Sequence, residues 1–327
     1  MTRNTIPNHN SRPKLKKISL IIPCKNEEAS LPMLYAETRK VMDSMPGYDW
    51  ELLFINDGSD DRTLEVIQEL RKSDGRVCYV DLSRNFGKEN AMLAGFDYVT
   101  GDCAIILDAD LQDPPELIPE MIGYWEEGYE DVYAKRKNRG RESWVRRRLS
   151  LFYYSVLQKS SRFEVLKNVG DFRLLDRKCL EALKLLRETE RYTKGLYCWI
   201  GFKKKEIVFD RSDRVAGKSN WSYRTLFDLG IDGLMSFSSS PLRYSAFLGF
   251  IIAVGALILL VYYITKALIM GDEVQGFPTL ISVILFLGGA QLLSIGILGE
   301  YISRIFNETK HRPPYIVRQY SEDKELK

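Results

Sequence analysis

The stretch "CAIILDADLQDPPE" (residues 103–116) joins a short apolar run to a dense group of carboxylates. Five apolar residues bounded by polar ones are typical of a buried β-strand, and the two prolines favour the start of a helix. Asp108, Asp110 and Asp113 would repel one another unless a positive charge lay between them. A divalent cation bound to a phosphorylated ligand would supply that charge, and a solvated acidic turn is the alternative.

The same strand-then-helix pattern recurs upstream and downstream of this stretch. Nearly continuous apolar strands that alternate with amphipathic helices predict a mostly parallel sheet covered on both faces. Ligands bind such sheets at the carboxyl ends of the strands, where "IPCKNEE", "INDGSDD" and "LDADLQD" all lie. We therefore expect one site on one rim. The predicted strands are 18–22, 51–56, 77–82, 103–107 and 131–134, and the predicted helices are 28–44, 60–73, 88–99 and 115–127.

The composition argues against several classes of protein. The 327 residues carry 47 Lys and Arg against 44 Asp and Glu, so the net charge of +3 gives no overall case for binding nucleic acid. Five scattered cysteines without C-x-x-C spacing favour reduced thiols. Both histidines, His9 and His311, lie in polar terminal segments, so we expect neither a histidine triad nor a His-ligated metal. The basic N-terminus has no apolar segment before residue 18, and we expect no signal peptide.

Two long apolar segments stand in the last third of the chain. Residues 244–265 and 274–299 contain no charged side chain, and each run exceeds the roughly 20 residues that span a bilayer. Two buried core helices are the alternative, but core helices rarely run so long without a charge. Basic residues flank the pair on one side: Arg243, Arg304, Lys310, His311 and Arg312. The positive-inside rule therefore predicts a two-span hairpin (243–305) with the preceding domain and both termini cytoplasmic, and we expect it in the plasma (inner) membrane.

Two further segments are candidates for contact with the membrane surface. Residues 222–237 place Tyr223, Phe227 and Leu234 on one helical face, which suits an interfacial helix over 222–242 or a helix packed on the soluble part. In residues 143–159, Arg146, Arg147 and Arg148 stand beside aromatic residues. That composition suits anionic headgroups or the phosphate of a lipid, and a solvated basic helix is the alternative. Small residues at 288–290 could pack helices within one chain or in a homo-oligomer.

The spacing of the acidic motif favours a metal ion. Extended backbone sends residues i and i+2 the same way, so Asp108, Asp110 and Gln112 can converge on one point. Oxygen ligands suit Mg²⁺ or Mn²⁺, which bridge carboxylates and substrate phosphates. Asp113 would then be left to solvent or the turn.

The segment "NDGSDD" (56–61) also ends an apolar strand. Gly58 permits a tight turn, and Ser59 or Asp60 can cap the next helix. Asp57 would face the rim and accept hydrogen bonds from a base or a ribose. A purely structural capping turn is the alternative.

In combination, these motifs resemble the inverting, nucleotide-sugar-dependent glycosyltransferases of family 2. The chain is most similar to the polyprenyl-phosphate branch, which includes dolichyl-phosphate mannose synthases and bacterial undecaprenyl-phosphate glucosyltransferases. The two apolar segments match the two-helix members of that branch. The matching stretches are "SLIIPCKNEEASL" (19–31), "FINDGSDDRT" (54–63), "LSRNFGKENAMLAGFDYVTGD" (82–102), "DADLQDPPE" (108–116), "KR" (135–136), "GDFRLLDRK" (170–178) and "DRVAGKSNWS" (213–222).

The resemblance implies an α/β, Rossmann-like GT-A domain over 18–221, between a basic tail (1–17) and the membrane part, with a cytoplasmic tail at 306–327. It implies that the nucleotide sugar is bound by Pro23, Lys25, Glu27, Asp57, Lys88, Asp108 and Ala109. It implies Mg²⁺ or Mn²⁺ on Asp108, Asp110 and Gln112. It implies that the acceptor phosphate is bound by Arg136, Arg147, Arg173, Arg214, Lys218 and Ser219. Asn220 departs from the family's R-x-x-G-x-S-K pattern, because Lys218 stands two places before the expected lysine.

The reaction implied is hexosyl transfer from a nucleotide sugar to polyprenyl phosphate, with Asp110, Asp171 and Arg173 as the catalytic residues. The metal stabilises the departing diphosphate, and arginines neutralise and aim the anionic acceptor. A phosphate monoester is already largely ionised at pH 7, so no strong base is needed. Asp171 would act either as a base or by orienting Arg173.

The sugar is less specified than the reaction. UDP-glucose is the expected donor, and GDP-mannose and UDP-amino-arabinose are the alternatives. A processive polysaccharide synthase is disfavoured because a Q-x-x-R-W motif and further spans are missing. The intact DxDxQ and GDFR motifs disfavour an inactive lipid-binding or channel protein.

Overall fold

The computed structural model describes residues 15–137, 158, 166, 169–189, 191–209, 240–270 and 276–322. Its centre is an eight-stranded sheet in the order β7-β5-β6-β4-β1-β2-β3-β8. The strands are β1 (Lys17–Cys24), β2 (Asp49–Asn56), β3 (Val77–Leu82), β4 (Cys103–Ile106), β5 (Asp131–Arg136), β6 (Val169–Asp176), β7 (Lys204–Phe209) and β8 (Val317–Tyr320). The helices are α1 (Leu31–Ser44), α2 (Thr63–Ser73), α3 (Lys88–Tyr98), α4 (Ile118–Glu126), α5 (Arg177–Leu185), α6 (Thr193–Trp199), α7 (Ser240–Met270) and α8 (Phe277–Thr309). The predicted alternation through residue 135 is confirmed.

Helices cover both faces of the sheet because its strands are apolar on both faces. In β1, Ile18, Leu20 and Ile22 pack into the core beneath α1, α2 and α4. Ile21 points the other way, into the core that α3, α5 and α6 cover. Each fully buried aliphatic side chain of this kind contributes about 2 kcal/mol relative to exposure. Successive side chains of β1 therefore pack alternately into the two hydrophobic cores on either face of the sheet.

The sheet is mixed, because two strands run against their neighbours. Strand β6 lies antiparallel between β4 and β5, and β8 lies antiparallel on β3. The other pairings, β1 with β2 and β4, β2 with β3, and β5 with β7, are parallel. Strand β6 was not anticipated as a strand because Asp171 and Arg173 interrupt its apolar pattern.

Arg173 forms a buried ion pair in the middle of the sheet. Its guanidinium lies 3.1 Å from Asp131 on the neighbouring strand β5, and the two side chains are 1% and 0% exposed. The guanidinium also lies 3.7 Å from the centre of the Tyr197 ring. Burial raises the pKa of Asp131, although Arg173 opposes that rise. This pair joins β5 to β6 beneath the rim.

The loops after β1 and β2 are hydrogen-bonded to each other, and for that reason both following helices begin later in the sequence than predicted. The amide of Asn26 donates to Ser59 Oγ (3.0 Å), and that of Glu27 donates to Thr63 Oγ1 (2.8 Å). The amide of Asp60 donates to Asn26 Oδ1 (2.9 Å). Residues 28–30 and 60–62, predicted as helical, therefore belong to this paired loop, and α1 and α2 start three residues later than expected.

Gly58 lets the loop after β2 approach the loop after β3. Its φ is +59°, and a Cβ at this position would lie 2.4 Å from the backbone carbon of Arg84. Only glycine tolerates both the left-handed conformation and that contact. The predicted tight turn at Gly58 is therefore confirmed, and it sets the distance between two loops of the rim.

Helices α7 and α8 form the apolar C-terminal pair. Within the described residues, one segment, Phe286–Thr309, is long and apolar enough to cross a membrane, and Tyr244–Leu259 is a shorter apolar segment. Large apolar side chains such as Phe250, Ile258 and Leu292 are exposed. The described helices thus agree with membrane association, whereas residues 222–239 of the predicted interfacial helix lie outside the described residues, as does nearly all of 143–159.

The chain returns to the sheet after α8, where only a tail was expected. The amide of Ser83 donates to Ile316 O (2.9 Å), and the hydroxyl of Tyr315 donates a hydrogen bond to Asp97 on α3. The amide of Thr189 donates to Glu308 at the end of α8 (2.7 Å). Strand β8 thereby covers the edge of β3 and ties the apolar pair to the sheet.

The Gly58 contact predicts a large effect for a small substitution. Gly58→Ala should lower the free energy of unfolding by about 2 kcal/mol, since the new methyl group meets backbone in a strained conformation. Gly75→Ala is the matched control, because nothing lies within 4 Å of its added Cβ among the described residues. Urea unfolding in detergent measures both variants, and equal stability would contradict the contact.

The Arg173–Asp131 pair predicts a non-additive double variant. Arg173→Met or Asp131→Leu alone should cost about 3–5 kcal/mol of stability, because each leaves an unpaired buried charge. The double variant Arg173→Met/Asp131→Leu should recover most of that loss. Single variants that fold with normal stability but lose activity would instead mark Arg173 as a direct substrate contact.

Candidate active site

The predicted polar motifs meet on one rim because their strands are neighbours in the sheet. Pro23 pairs with Ile55 and Cys24 with Asn56, while Ile21 pairs with Ile106. The residues that follow, Lys25, Asp57 and Asp108, therefore leave the sheet at the same end. The expectation of a shared rim is confirmed by this register.

Lys88 connects the two sides of the rim. It is the first residue of α3, and its Nζ lies 2.6 Å from Asp108 Oδ1 and 2.8 Å from Asp171 Oδ2. Desolvation opposes the charge on Lys88, but the two carboxylates outweigh it and hold the pKa of Lys88 above its ordinary value. The ammonium therefore stays charged and links the loop after β4 to strand β6.

Asp171 is the buried member of this triad, with its side chain 7% exposed. Burial alone would raise the pKa of Asp171, but Lys88 and then Lys194 hold it below its ordinary value. A carboxylate that gives up its proton so readily is a weak base. The expected partner is also different, because Asp171 pairs with Lys88 whereas Arg173 pairs with Asp131.

Asp57 is buried beneath the rim, which corrects the expectation of a rim-facing carboxylate. Its Oδ1 accepts from the amide of Phe86 (2.7 Å) and its Oδ2 from the amide of Gly87 (3.0 Å). Burial raises the pKa of Asp57, although these two amides oppose the rise. The side chain thus holds the turn from which Lys88 begins α3.

Asp113 is also buried, which excludes solvent, one of its two expected surroundings, and leaves it within the turn. It is 2% exposed, and Arg136 lies beside it, with an Nη2 to Oδ1 distance of 3.9 Å. Burial, followed by repulsion from Asp108, raises the pKa of Asp113 to about 7. The turn at Pro115–Leu117 packs this part of the loop inward, because Pro115 itself is buried. Asp113 therefore lies against Arg136 at the end of β5.

Two of the three predicted metal ligands have oxygen atoms that suit a cation. Gln112 Oε1 is buried and has no hydrogen-bond partner among the described residues. The neighbouring Asp110 Oδ1 accepts from the amide of Gln112 (3.2 Å), whereas Asp108 is paired with Lys88. The described part of the chain has no group of three or more His, Cys, Asp or Glu that could hold a metal. Gln112 and Asp110 therefore fit a Mg²⁺ or Mn²⁺ ion that takes its other ligands from substrate phosphates.

A cavity of about 460 Å³ lies on the same rim, where the loops after β1, β2 and β3 meet. Lys25 lines the cavity, and its ammonium donates to Gly58 O (2.5 Å) and to Asp60 Oδ2 (2.9 Å). Glu27, also expected at the nucleotide, accepts from the hydroxyl of Ser30. The lining residues are Lys25, Gly58, Ser59, Asp60, Ser83, Arg84, Asn85 and Arg318.

Two residues that line the cavity, Arg84 and Arg318, were not predicted from the sequence. Some of the predicted site residues lie outside the described part of the chain. Arg84 lies inside a quoted motif and could have been selected, whereas Arg318 carried no signal. Ala109 is buried beside the carboxylates, and Pro23 is half-buried on β1. The expected acceptor residues Arg147, Arg214, Lys218 and Ser219 lie outside the described residues.

Comparison with known proteins places this geometry in a family. The family "Glycosyl transferase family 2" matches residues 19–184, and "GtrB C-terminal hairpin" matches residues 240–305. The "Bactoprenol glucosyl transferase" of Shigella phage SfV is 42% identical over 302 residues, 92% of this chain and 98% of that protein. CsbB of Bacillus subtilis (strain 168), named provisionally as a glycosyltransferase, is 45% identical over 92% of this chain and 91% of its own length.

A solved structure gives a weaker likeness. Glucosyl-3-phosphoglycerate synthase from Mycobacterium tuberculosis, in complex with Mn²⁺ and UDP-glucose, is 19% identical with a TM-score of 0.42. The alignment covers 67% of this chain and 75% of that one. At this level the metal and the nucleotide are properties of that structure alone. The matched motifs and the full-length relatives carry the assignment: the chain belongs to glycosyl transferase family 2 and is a glycosyltransferase with the GtrB type of C-terminal hairpin.

Proposed function

We propose that this protein transfers glucose from UDP-glucose to a polyprenyl phosphate (undecaprenyl phosphate, or bactoprenol phosphate), which gives polyprenyl-phosphate glucose and UDP. Its similarity to a named bactoprenol glucosyl transferase over 92% of the chain supports the substrates. The mechanism rests on one observation: the ammonium of Lys88 lies between the carboxylates of Asp108 and Asp171.

On the donor side, the chain offers positive charge to a departing diphosphate. Lys88 is held in place by Asp108 and stays ionised, so it can stabilise negative charge that develops on the leaving group. Asp110 and Gln112 are the proposed metal ligands. When bound there, Mg²⁺ or Mn²⁺ would neutralise further charge on the diphosphate.

On the acceptor side, the nucleophile is itself an anion. Arg136, with its side chain 25% exposed at the end of β5, is the proposed phosphate anchor among the described residues. A guanidinium offers a planar pair of donors that fits two phosphate oxygens. Because the phosphate is already ionised, Asp171 holds Lys88 in position rather than removing a proton.

The membrane arrangement belongs to the same proposal. The catalytic domain (18–221) and both termini face the cytoplasm, and the hairpin (243–305) holds the domain at the headgroups of the inner membrane. A polyprenyl chain stays in the bilayer, so an enzyme tethered there meets its acceptor at a high effective concentration.

Incubation of membranes with radiolabelled UDP-glucose and undecaprenyl phosphate tests the reaction. We expect label in the organic phase, its loss on chelation with EDTA, and its return with Mn²⁺ or Mg²⁺. Asp110→Asn should abolish transfer, whereas Asp49→Asn, an exposed carboxylate at the opposite end of β2, should not. Labelled GDP-mannose and UDP-amino-arabinose are run in parallel. No lipid-bound label from any donor would reject a transferase function.

The role of Asp171 is tested by its pH profile. Asp171→Asn should keep measurable transfer at every pH from 6 to 9, because the acceptor phosphate is already largely ionised and needs no base. Loss of an essential base would instead cost about 10²-fold or more in kcat. Such a loss, together with rescue at high pH, would show that Asp171 is the base.

A further inference from the structure

The segment after α8 contributes a side chain to the rim cavity. Arg318 on β8 lines the cavity together with Lys25, Gly58 and Arg84. One of its guanidinium nitrogens donates to Ser83 O (2.7 Å), across a separation of 235 residues in the chain. A residue that follows the hairpin therefore reaches the same cavity as residues of the first two loops.

The pairing of β8 with β3 is irregular at this one residue. Asp81 pairs with Gln319 and Leu82 pairs with Val317, so Arg318 is the additional residue on its strand. A bulge of this kind bends the strand and re-aims a side chain, and it is common next to active sites. Arg318 also donates to Asp81 Oδ2 (3.4 Å), while its side chain remains 60% exposed. The two contacts fix its direction, and a guanidinium has five N–H groups, so donors remain for a ligand in the cavity that Arg318 lines.

The charge of the cavity favours an electron-rich ligand. Three cations, Lys25, Arg84 and Arg318, line it against one carboxylate, Asp60. That carboxylate is already paired with Lys25 at 2.9 Å. The net excess of positive charge suits phosphates, carbonyl oxygens or hydroxyl oxygens, which accept hydrogen bonds.

The position of the cavity identifies which end of a donor it would take. Strand β3 lies three strands from β4, so at about 4.8 Å per strand the β3 side of the cavity is about 14 Å from the carboxylates that follow β4. A nucleotide sugar with its diphosphate at Asp110 would therefore extend its nucleoside towards β3 and β8.

We propose that Arg318 binds the nucleoside end of the nucleotide-sugar donor, so that the segment after the hairpin completes the donor site. This rests on the proposed transferase function. A guanidinium donates hydrogen bonds and accepts none, so it suits the carbonyl oxygens of uracil or the hydroxyl oxygens of ribose. Arg318 is then a binding residue of the donor rather than part of the chemistry.

The test measures binding apart from transfer, on the full-length protein in detergent. Titration calorimetry gives the Kd of UDP, and displacement of UDP gives that of uridine. The variants are Arg318→Ala, Arg318→Lys and the control Gln319→Ala, which changes an exposed neighbour on β8 that does not line the cavity. Thermal unfolding of each variant is recorded, because Asp81 loses a partner in Arg318→Ala.

We expect Arg318→Ala to weaken UDP and uridine by the same factor, about tenfold, as for loss of a hydrogen bond from a charged donor. The KM for UDP-glucose should rise by that factor while kcat stays within about twofold. Arg318→Lys should fall between wild type and Arg318→Ala, and Gln319→Ala should match wild type.

Three results of the affinity measurements would overturn the inference. These are unchanged UDP affinity in Arg318→Ala, a loss for UDP without a loss for uridine, and a loss that appears equally in Gln319→Ala. A lower unfolding temperature with a fall in kcat alone would mark a structural role and would also overturn it. If the wild type binds UDP but transfers no sugar, the proposed function fails while the affinities still decide the role of Arg318.

Discussion

One charged contact organises the rim: the ammonium of Lys88 between the carboxylates of Asp108 and Asp171. It joins a loop after a central parallel strand to a strand that runs the other way. Separately, each carboxylate would carry the cost of partial burial without a counter-charge. Together with the lysine, they form a compact, fixed pattern of charge at the centre of the site. A glycosyl transfer between two anions requires such a pattern, because both partners must be held close despite their repulsion.

Much of the surrounding structure keeps that lysine in place. Asp57 accepts from the two amides that precede Lys88, and Gly58 sets how closely that turn approaches. Beneath the rim, the pair of Arg173 and Asp131 fixes β6 next to β5 and so fixes Asp171. These groups act on Lys88 and Asp171 through position, because the carboxylate of Asp57 and Nη1 of Arg173 are bound to other parts of the protein. Their substitution would therefore displace Lys88 and Asp171.

The fold was more predictable than the roles of individual residues. Apolar periodicity places β1 to β5 within a few residues, because buried strands and covering helices leave local patterns in the sequence. Periodicity fails where a charge is buried. With Arg173 in it, the sequence of β6 has the pattern of a solvated segment, and only the structure shows that Asp131 on β5 pairs with this arginine. The same reason explains Asp57 and Asp113, two acids of the rim motifs that are in fact buried. Arg318 could not be anticipated at all, because no local pattern reports a pairing across 235 residues.

The position of β8 at the end of the chain also determines when the sheet can be completed during synthesis. The strands β1 to β7 leave the ribosome before α7 and α8, and β8 follows only after both. Throughout that interval β3 is an open sheet edge, with unpaired backbone groups that can recruit a strand from another chain. Completion of the hairpin therefore determines when this edge is closed. A nascent chain delayed at that stage is not merely an enzyme without its anchor, but an unfinished sheet exposed to aggregation.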